Sequence, residues 1–353
     1  MTIIDRYIAA TVIRTTLLAA LILASVAGLF AFMSQLSDVT GHYGVPQVAL
    51  YVLLTLPRRA YELFPTAVLL GALMGLGTLA GHSELVVMRA SGLSVARIVR
   101  AVLQAGLVLV LVAAFLGEVL APPGEEYAQN MRAATRSGYV TLESDYGFWA
   151  RDGDNFVNIR RVLPGARLEN IYIYSYGAHR RLRTITHAAT AEYHGGRWTL
   201  HDIEQSTIRD TGVTTHTATR ARWDSLLDPG LLEVLSVDPN DLPALSLYRY
   251  VQYMKRNNLD PRRYQLAFWV KVVTPLSTLV MLLLALPFVF GSMRSASAGV
   301  RLLVGALMGL GFYLLNQALN YMGLVYGISP FLSALLPSLL FTAAGLVALS
   351  RVR

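Results

Sequence analysis

TTLLAALILASVAGLFAFMSQLS, residues Thr15 to Ser37, runs for 23 positions without an Asp, Glu, Lys or Arg. A bilayer core takes about 20 apolar residues of helix, so this stretch reads as a membrane span. Leu63–Ser83, Ala101–Gly117, Val272–Met293, Leu302–Pro330 and Phe331–Ser350 are free of the same four residue types. The last two form 49 charge-free residues divided by Tyr326-Gly327 and Pro330, which set a turn between two helices. Three spans stand on each side of a long polar insert. The fold class is membrane α plus β, with six transmembrane helices and an extramembrane β domain inserted between helices 3 and 4.

The charges between the spans set an orientation. Arg6, Arg14, Arg89, Arg97, Arg100, Arg294, Arg301, Arg351 and Arg353 lie at one set of span ends, with only Asp5 and Glu84 as acids. On the other side the turns Gly41–Pro46 and Tyr321–Pro330 hold no Lys or Arg, Arg58-Arg59 being the exception. The positive-inside rule then predicts cytoplasmic termini and an exoplasmic insert.

The chain of 353 residues is 54% hydrophobic and carries a net charge of +8. That excess is the cytoplasmic flank; Pro122 to Tyr264 holds 18 basic and 17 acidic residues, so no face for nucleic acid is implied. There is no cysteine, hence no disulfide, thiol chemistry or cysteine metal site. The first span is longer than a cleaved signal and is expected to be a retained helix.

Within the insert, Ala121-Pro122-Pro123-Gly124 reads as a helix stop, followed by a short amphipathic helix over Gly124–Ser137 with Arg132 and Arg136 one turn apart. From Tyr139 the period becomes two. Phe148–Ile159 reads as a hairpin around Asp152-Gly153-Asp154, Ile171–Tyr176 as a strand, and Glu192–Leu200 as a hairpin around Gly195-Gly196. Thr214–Trp223 alternates again. This spacing predicts an antiparallel sandwich or jelly roll. Pro243–Asn258 returns to helical spacing, with a Leu245, Tyr248, Val251, Met254 stripe and Ser246 as cap, and reads as an interfacial helix.

No Walker-type phosphate loop occurs, and the spans are nearly empty of ionisable groups, which removes the usual handles of ATP hydrolysis and of ion-driven transport. Lys271 alone sits inside the fourth span. His187, His194 and His201 recur every seven residues, a spacing that puts them on alternating faces of strands and so argues against a metal site; no cofactor is expected. The loop His82–Leu93 places apolar Leu85, Val86, Val87 and Met88 between Glu84 and Arg89. Such a segment reads as a docking helix, with an interfacial helix lying on lipid as the alternative. Arg58, Arg59, Arg132, Arg136 and Lys271 all fall near the outer end of their spans. They read either as snorkelling anchors for Glu62 and Glu118 or as a cationic rim for an anionic amphiphile.

FPTAVLLGALMGLG, Phe64 to Gly77, followed by SELVVMRASG, Ser83 to Gly92, resembles the LptF/LptG family of lipopolysaccharide export permeases. Asp5-Arg6-Tyr7-Ile8, Trp149–Gly153, Arg263–Leu266 and Phe288–Gly291 extend the likeness over the chain. The resemblance implies a periplasmic β-jelly-roll-like domain, a heterodimer with the LptF paralogue, a cytoplasmic LptB ATPase dimer and LptC as a further partner. It implies a Gram-negative inner-membrane permease subunit, itself without catalysis, that takes lipopolysaccharide from the membrane toward a periplasmic bridge. Carried over, residues 82–93 are the coupling helix, in which Glu84, Leu85, Met88 and Arg89 meet the ATPase. Arg132 and Arg136 resemble basic positions after the third span that line the lipid cavity, and Arg58, Arg59 and Lys271 join them as lipid-binding candidates by position. Members carry lysines at the end of the first span, where Phe30–Asp38 here has no cation, so the other cations must supply phosphate contacts. The expected division is 1–121 for the first three spans, 122–242 for the β domain, and 243–353 for the interfacial helix and last three spans. A membrane-anchored assembly or sensor protein, its β domain binding a partner without moving lipid, is the competing class.

Overall fold

The computed structural model describes residues 3–37, 39, 43–137, 148–152, 155–163, 167–177, 181–194, 197–209, 212–223, 239–257, 259–290 and 296–351. Six helical runs are long and apolar enough to cross a membrane: Ile3–Leu36, Val45–Gly81, Val95–Arg132, Arg262–Phe290, Ala298–Tyr326 and Pro330–Ser350. In chain order these contain α1 (Ile3–Leu36), α2 (Val45–Gly81), α4 (Val95–Phe115), the start of α5 (Ala121–Ser137), α7 (Arg262–Phe290), α8 (Ala298–Tyr326) and α9 (Pro330–Ser350). The short helix α3 (Glu84–Ala90) links α2 to α4, and α6 (Ala244–Arg256) precedes α7. The turn expected between the last two spans is present: Gly327 closes α8 in the left-handed region, at φ 69°, and Pro330 opens α9.

Ala121–Gly124 does not stop a helix. A five-residue π segment, Leu116–Leu120, joins α4 directly to α5, which starts at Ala121 and carries Pro122 and Pro123 in its first turn. Proline lacks an N–H, but a first turn has no intrahelical use for one. The wider π turn supplies the break in the bonding ladder that lets the helix continue.

Helix α2 is the axis of the bundle. It packs against α1, α5, α7 and α8, and from Phe64 to Gly77 only Thr66 and Met74 are not buried. Lipid tails are as apolar as leucine side chains, so close backbone approach rather than water exclusion holds such helices together. Gly71 is one contact that permits it: a Cβ there would lie 2.3 Å from Thr16 Cα, and the Thr15 hydroxyl donates to the Gly71 carbonyl at 2.7 Å. Gly309 of α8 is another, with a Cβ position 2.3 Å from Thr66 Cγ2. The outer faces of α1 and α8, including Leu18, Leu21, Phe30, Leu303 and Leu307, stay exposed.

Strands β1 (Phe148–Asp152), β2 (Asn155–Leu163), β3 (Arg167–Tyr176), β4 (Leu182–His194), β5 (Arg197–Arg209) and β6 (Gly212–Trp223) form one antiparallel sheet in sequential order. It is a meander; the crossing connections of a sandwich or jelly roll are not among the described residues. Both expected hairpins form, as β1–β2 and β4–β5, while the turn residues Gly153-Asp154 and Gly195-Gly196 lie outside the described residues, as do residues 138–147.

A crease crosses this sheet. Cα pairing lapses in one row across five strands, at Arg160, Asn170, Ala189, Asp202 and Thr219. Asn170 and Asp202 there adopt positive φ, 52° and 49°, which Asn and Asp tolerate better than other side-chain-bearing residues. The strands keep their register across this row while the in/out alternation shifts by one in neighbouring strands, so the buried pairs Leu168 and Ile171, Ala188 and Ala191, and Leu200 and Ile203, each three apart, share one apolar core with Trp198. The crease also corrects the histidine reading. His187, His194 and His201 fall on the face away from that core rather than alternating, with His187 against Tyr172 at 4.6 Å and His201 Nδ1 3.5 Å from Arg220.

Helix α6 starts at Ala244, so Ser246 lies inside it rather than capping it, and Leu247, Tyr250 and Val251 are buried while Leu245 and Tyr248 are exposed. Tyr250 packs on Tyr253 and Tyr264, and burial pushes its phenol well above the ordinary value.

Gly71→Val should drive α1 off α2 and lower the thermal midpoint of the detergent-solubilised protein, a cost of about 1–3 kcal/mol. Gly311→Val, in open space, should leave the midpoint nearly unchanged.

Candidate functional site

The return of the chain from the sheet to the spans is fixed by charges from three different helical runs. A 3₁₀ turn, Pro239–Asp241, leads into α6. Asp241 pairs with Arg58 of α2, the Leu242 carbonyl accepts from Lys271 of α7, and the Ala244 N–H donates to Glu118 Oε2 of the π segment at 2.9 Å. Glu118 thus caps α6 from a distance, where a carboxylate is favoured by the free N–H groups and the dipole. Its other oxygen lies 3.7 Å from Lys271 Nζ. Arg58 also bonds Glu62 at 3.1 Å and lies 3.7 Å from Glu125.

Lys271 is only 7% exposed, and Tyr61 buttresses it by donating to its carbonyl at 3.0 Å. The π turn makes this arrangement possible: Gly117 lies flat against the Tyr61 ring, where a Cβ would stand 2.5 Å from Cε2. A cavity of about 310 Å³ adjoins the cluster.

The five cations of the expected rim therefore separate. Arg58 and Lys271 come together, each engaged by carboxylates. Arg132 of α5 lies over the Tyr51 ring, 5.4 Å from its centroid, while the side chain of Arg136 is outside the described residues. Arg59 Nε is buried and has no hydrogen-bond partner among the described residues.

At the opposite end, α3 is held from both sides of the α1 start. Tyr7 donates to Glu84 Oε2 at 2.9 Å, and Asp5 accepts from Arg97 at the start of α4 at 3.3 Å. Ser83, at φ 61°, makes the sharp corner before α3. Leu85 is buried and Met88 half-buried against the main bundle core, so these two are the anchors of the helix. Its exposed face is Val86, Val87 and Arg89, with Glu84 at the edge. Tyr7, Glu125 and Asp241 escape sequence reading because the charged partner of each is distant in the chain: Tyr7 meets Glu84, and Glu125 and Asp241 both face Arg58.

The two ends of the bundle thus differ: one carries an exposed, partly apolar helix face, the other a charged joint to a sheet. The family model for the lipopolysaccharide export system permease LptF/LptG matches residues 6–351. The chain belongs to this family. It is 40% identical over 353 residues to the Escherichia coli K12 lipopolysaccharide export system permease protein LptG, covering 99% of this chain and 98% of that relative. Identity to the LptG protein of Haemophilus influenzae Rd is 37% over 353 residues, covering 99% of each.

Lys271→Met should leave Glu118 Oε1 and the Leu242 carbonyl without their cation, costing about 1.5–3 kcal/mol, and should speed proteolysis near residues 239–244 while cleavage elsewhere stays constant. Limited proteolysis with mass mapping of the fragments checks this.

Proposed function

We propose that the chain, as a permease subunit of the lipopolysaccharide export transporter, extracts lipopolysaccharide from the outer leaflet of the inner membrane and passes it upward through its β domain to a periplasmic bridge. The observation that carries this reading is the family match over residues 6–351. The subunit performs no catalysis; ATP is hydrolysed by a separate cytoplasmic LptB dimer. Its membrane partner is the LptF paralogue, and LptC meets the assembly at the periplasmic side. Both termini are cytoplasmic, which puts α3 and its neighbouring arginines inside and the creased, jelly-roll-like sheet in the periplasm. The working division is 1–121, 122–242 and 243–353.

Force enters through α3. Val86, Val87 and Arg89 meet the ATPase with Glu84, and Leu85 and Met88 transmit the displacement to the bundle. The exposed apolar faces of α1 and α8 then close on the lipid against the paralogue. Arg132, Arg136 and Arg59 serve its phosphates, guanidinium being suited to bidentate phosphate pairing. Arg58 and Lys271, already occupied by carboxylates, belong to the joint that makes the sheet follow the spans.

Proteoliposomes containing this chain, its paralogue and the ATPase should release lipopolysaccharide on ATP addition. Release that persists without this chain would favour the assembly or sensor reading. Glu84→Ala should reduce ATPase copurification while membrane insertion stays normal. Arg132→Ala should weaken lipid crosslinking, more at low than at high salt because screening shortens the reach of its charge.

A further inference from the structure

The cavity beside the joint carries an imbalance of charge. Arg58 and Lys271 line it together with Glu62, Glu125 and Asp241, and Glu118 draws on the same Lys271. Carboxylates thus outnumber cations by four to two. One excess charge is met by the start of α6, through Glu118 and the Ala244 N–H.

Glu125 is the group left incomplete. It is 2% exposed. Its Oε1 accepts from Gln129 Nε2 at 2.8 Å and lies 3.7 Å from Arg58, while its Oε2 has no hydrogen-bond partner among the described residues. A buried carboxylate oxygen without a partner is costly, and a cation beside it removes the cost.

The walls select the kind of cation. Among the described residues no group of three or more His, Cys, Asp or Glu is arranged to hold a metal ion. Asn316, Gln317, Thr274 and Ser277 instead offer amide and hydroxyl acceptors around the same space. An ammonium group has three donors and no acceptor, and such a mixed set satisfies it. Tyr313 lines the cavity and is 41% exposed on the outer face of α8, beside Leu310 and Leu314. The cavity wall therefore reaches the apolar surface of a span, where a lipid rather than a free solute is the neighbour.

We propose that this cavity binds the primary ammonium of a lipid head group, with Glu125 as its counter-ion. The site is separate from the cations assigned to lipopolysaccharide phosphates, and its test does not depend on transport. The full chain, reconstituted in nanodiscs of mixed phosphatidylethanolamine and phosphatidylglycerol, is transferred to detergent, and the retained lipid is counted by native mass spectrometry. The wild type should retain phosphatidylethanolamine over phosphatidylglycerol. Glu125→Gln should cut that retention about tenfold, the worth of one charge-assisted hydrogen bond, while Glu125→Asp keeps most of it and the thermal midpoint of both stays near wild type. Gln317→Leu, which removes a wall acceptor and leaves the ion pairs intact, should reduce retention in the same direction and serves if Glu125→Gln does not fold. Equal retention of both lipids by the wild type, or unchanged retention in both variants, would overturn the proposal. Displacement of the lipid by millimolar free ethanolamine as readily as by added phosphatidylethanolamine would overturn the lipid source.

Discussion

Asp241, Leu242 and Ala244 hang the sheet from three helical runs at once, and the rest of the molecule is arranged around that attachment. Each tie uses a different chemistry: a guanidinium–carboxylate pair, an ammonium–carbonyl bond and a capped helix start. Lys271 at 7% exposure is a charge the membrane would not tolerate alone. It is stable where it is because Glu118, carried on the π turn, and the Leu242 carbonyl meet it. A buried pair of this kind adds little net stability, but breaking it is expensive, so the joint resists loosening without needing a large interface.

That constraint gives α2 a double role. In its first half Arg58 grips the sheet's return; further along Gly71 admits α1; at its far end it runs into α3 by way of Ser83. One continuous helix therefore connects α3 to the point where the sheet is fastened. The α1 start is tied to the same end, by Tyr7 to Glu84 and by Asp5 to Arg97.

Much of the architecture was legible along the chain. Charge-free runs of span length, the Gly327–Pro330 turn, two hairpins and the α3 segment are all local signals, written in hydropathy, period and turn chemistry. Two local readings failed for reasons that lie outside their windows. Pro122-Pro123 looks like a stop until the π segment ahead of it supplies the widened turn, and the histidine spacing looks alternating until the crease at Asn170 and Asp202 shifts the in/out alternation in neighbouring strands together.

The order of residues by itself determined six runs long and apolar enough to cross a membrane and an antiparallel set of strands, because the apolar run length and the period of two are properties of consecutive positions. Only the tertiary structure decided which charges meet. Arg58 and Asp241 are far apart in the chain, as are Glu118 and Ala244, and Leu85 and Val86 are equally apolar neighbours of which one is buried and the other exposed. Pairing, burial and the completion of a carboxylate such as Glu125 are set by what folds against it, and no local pattern encodes that.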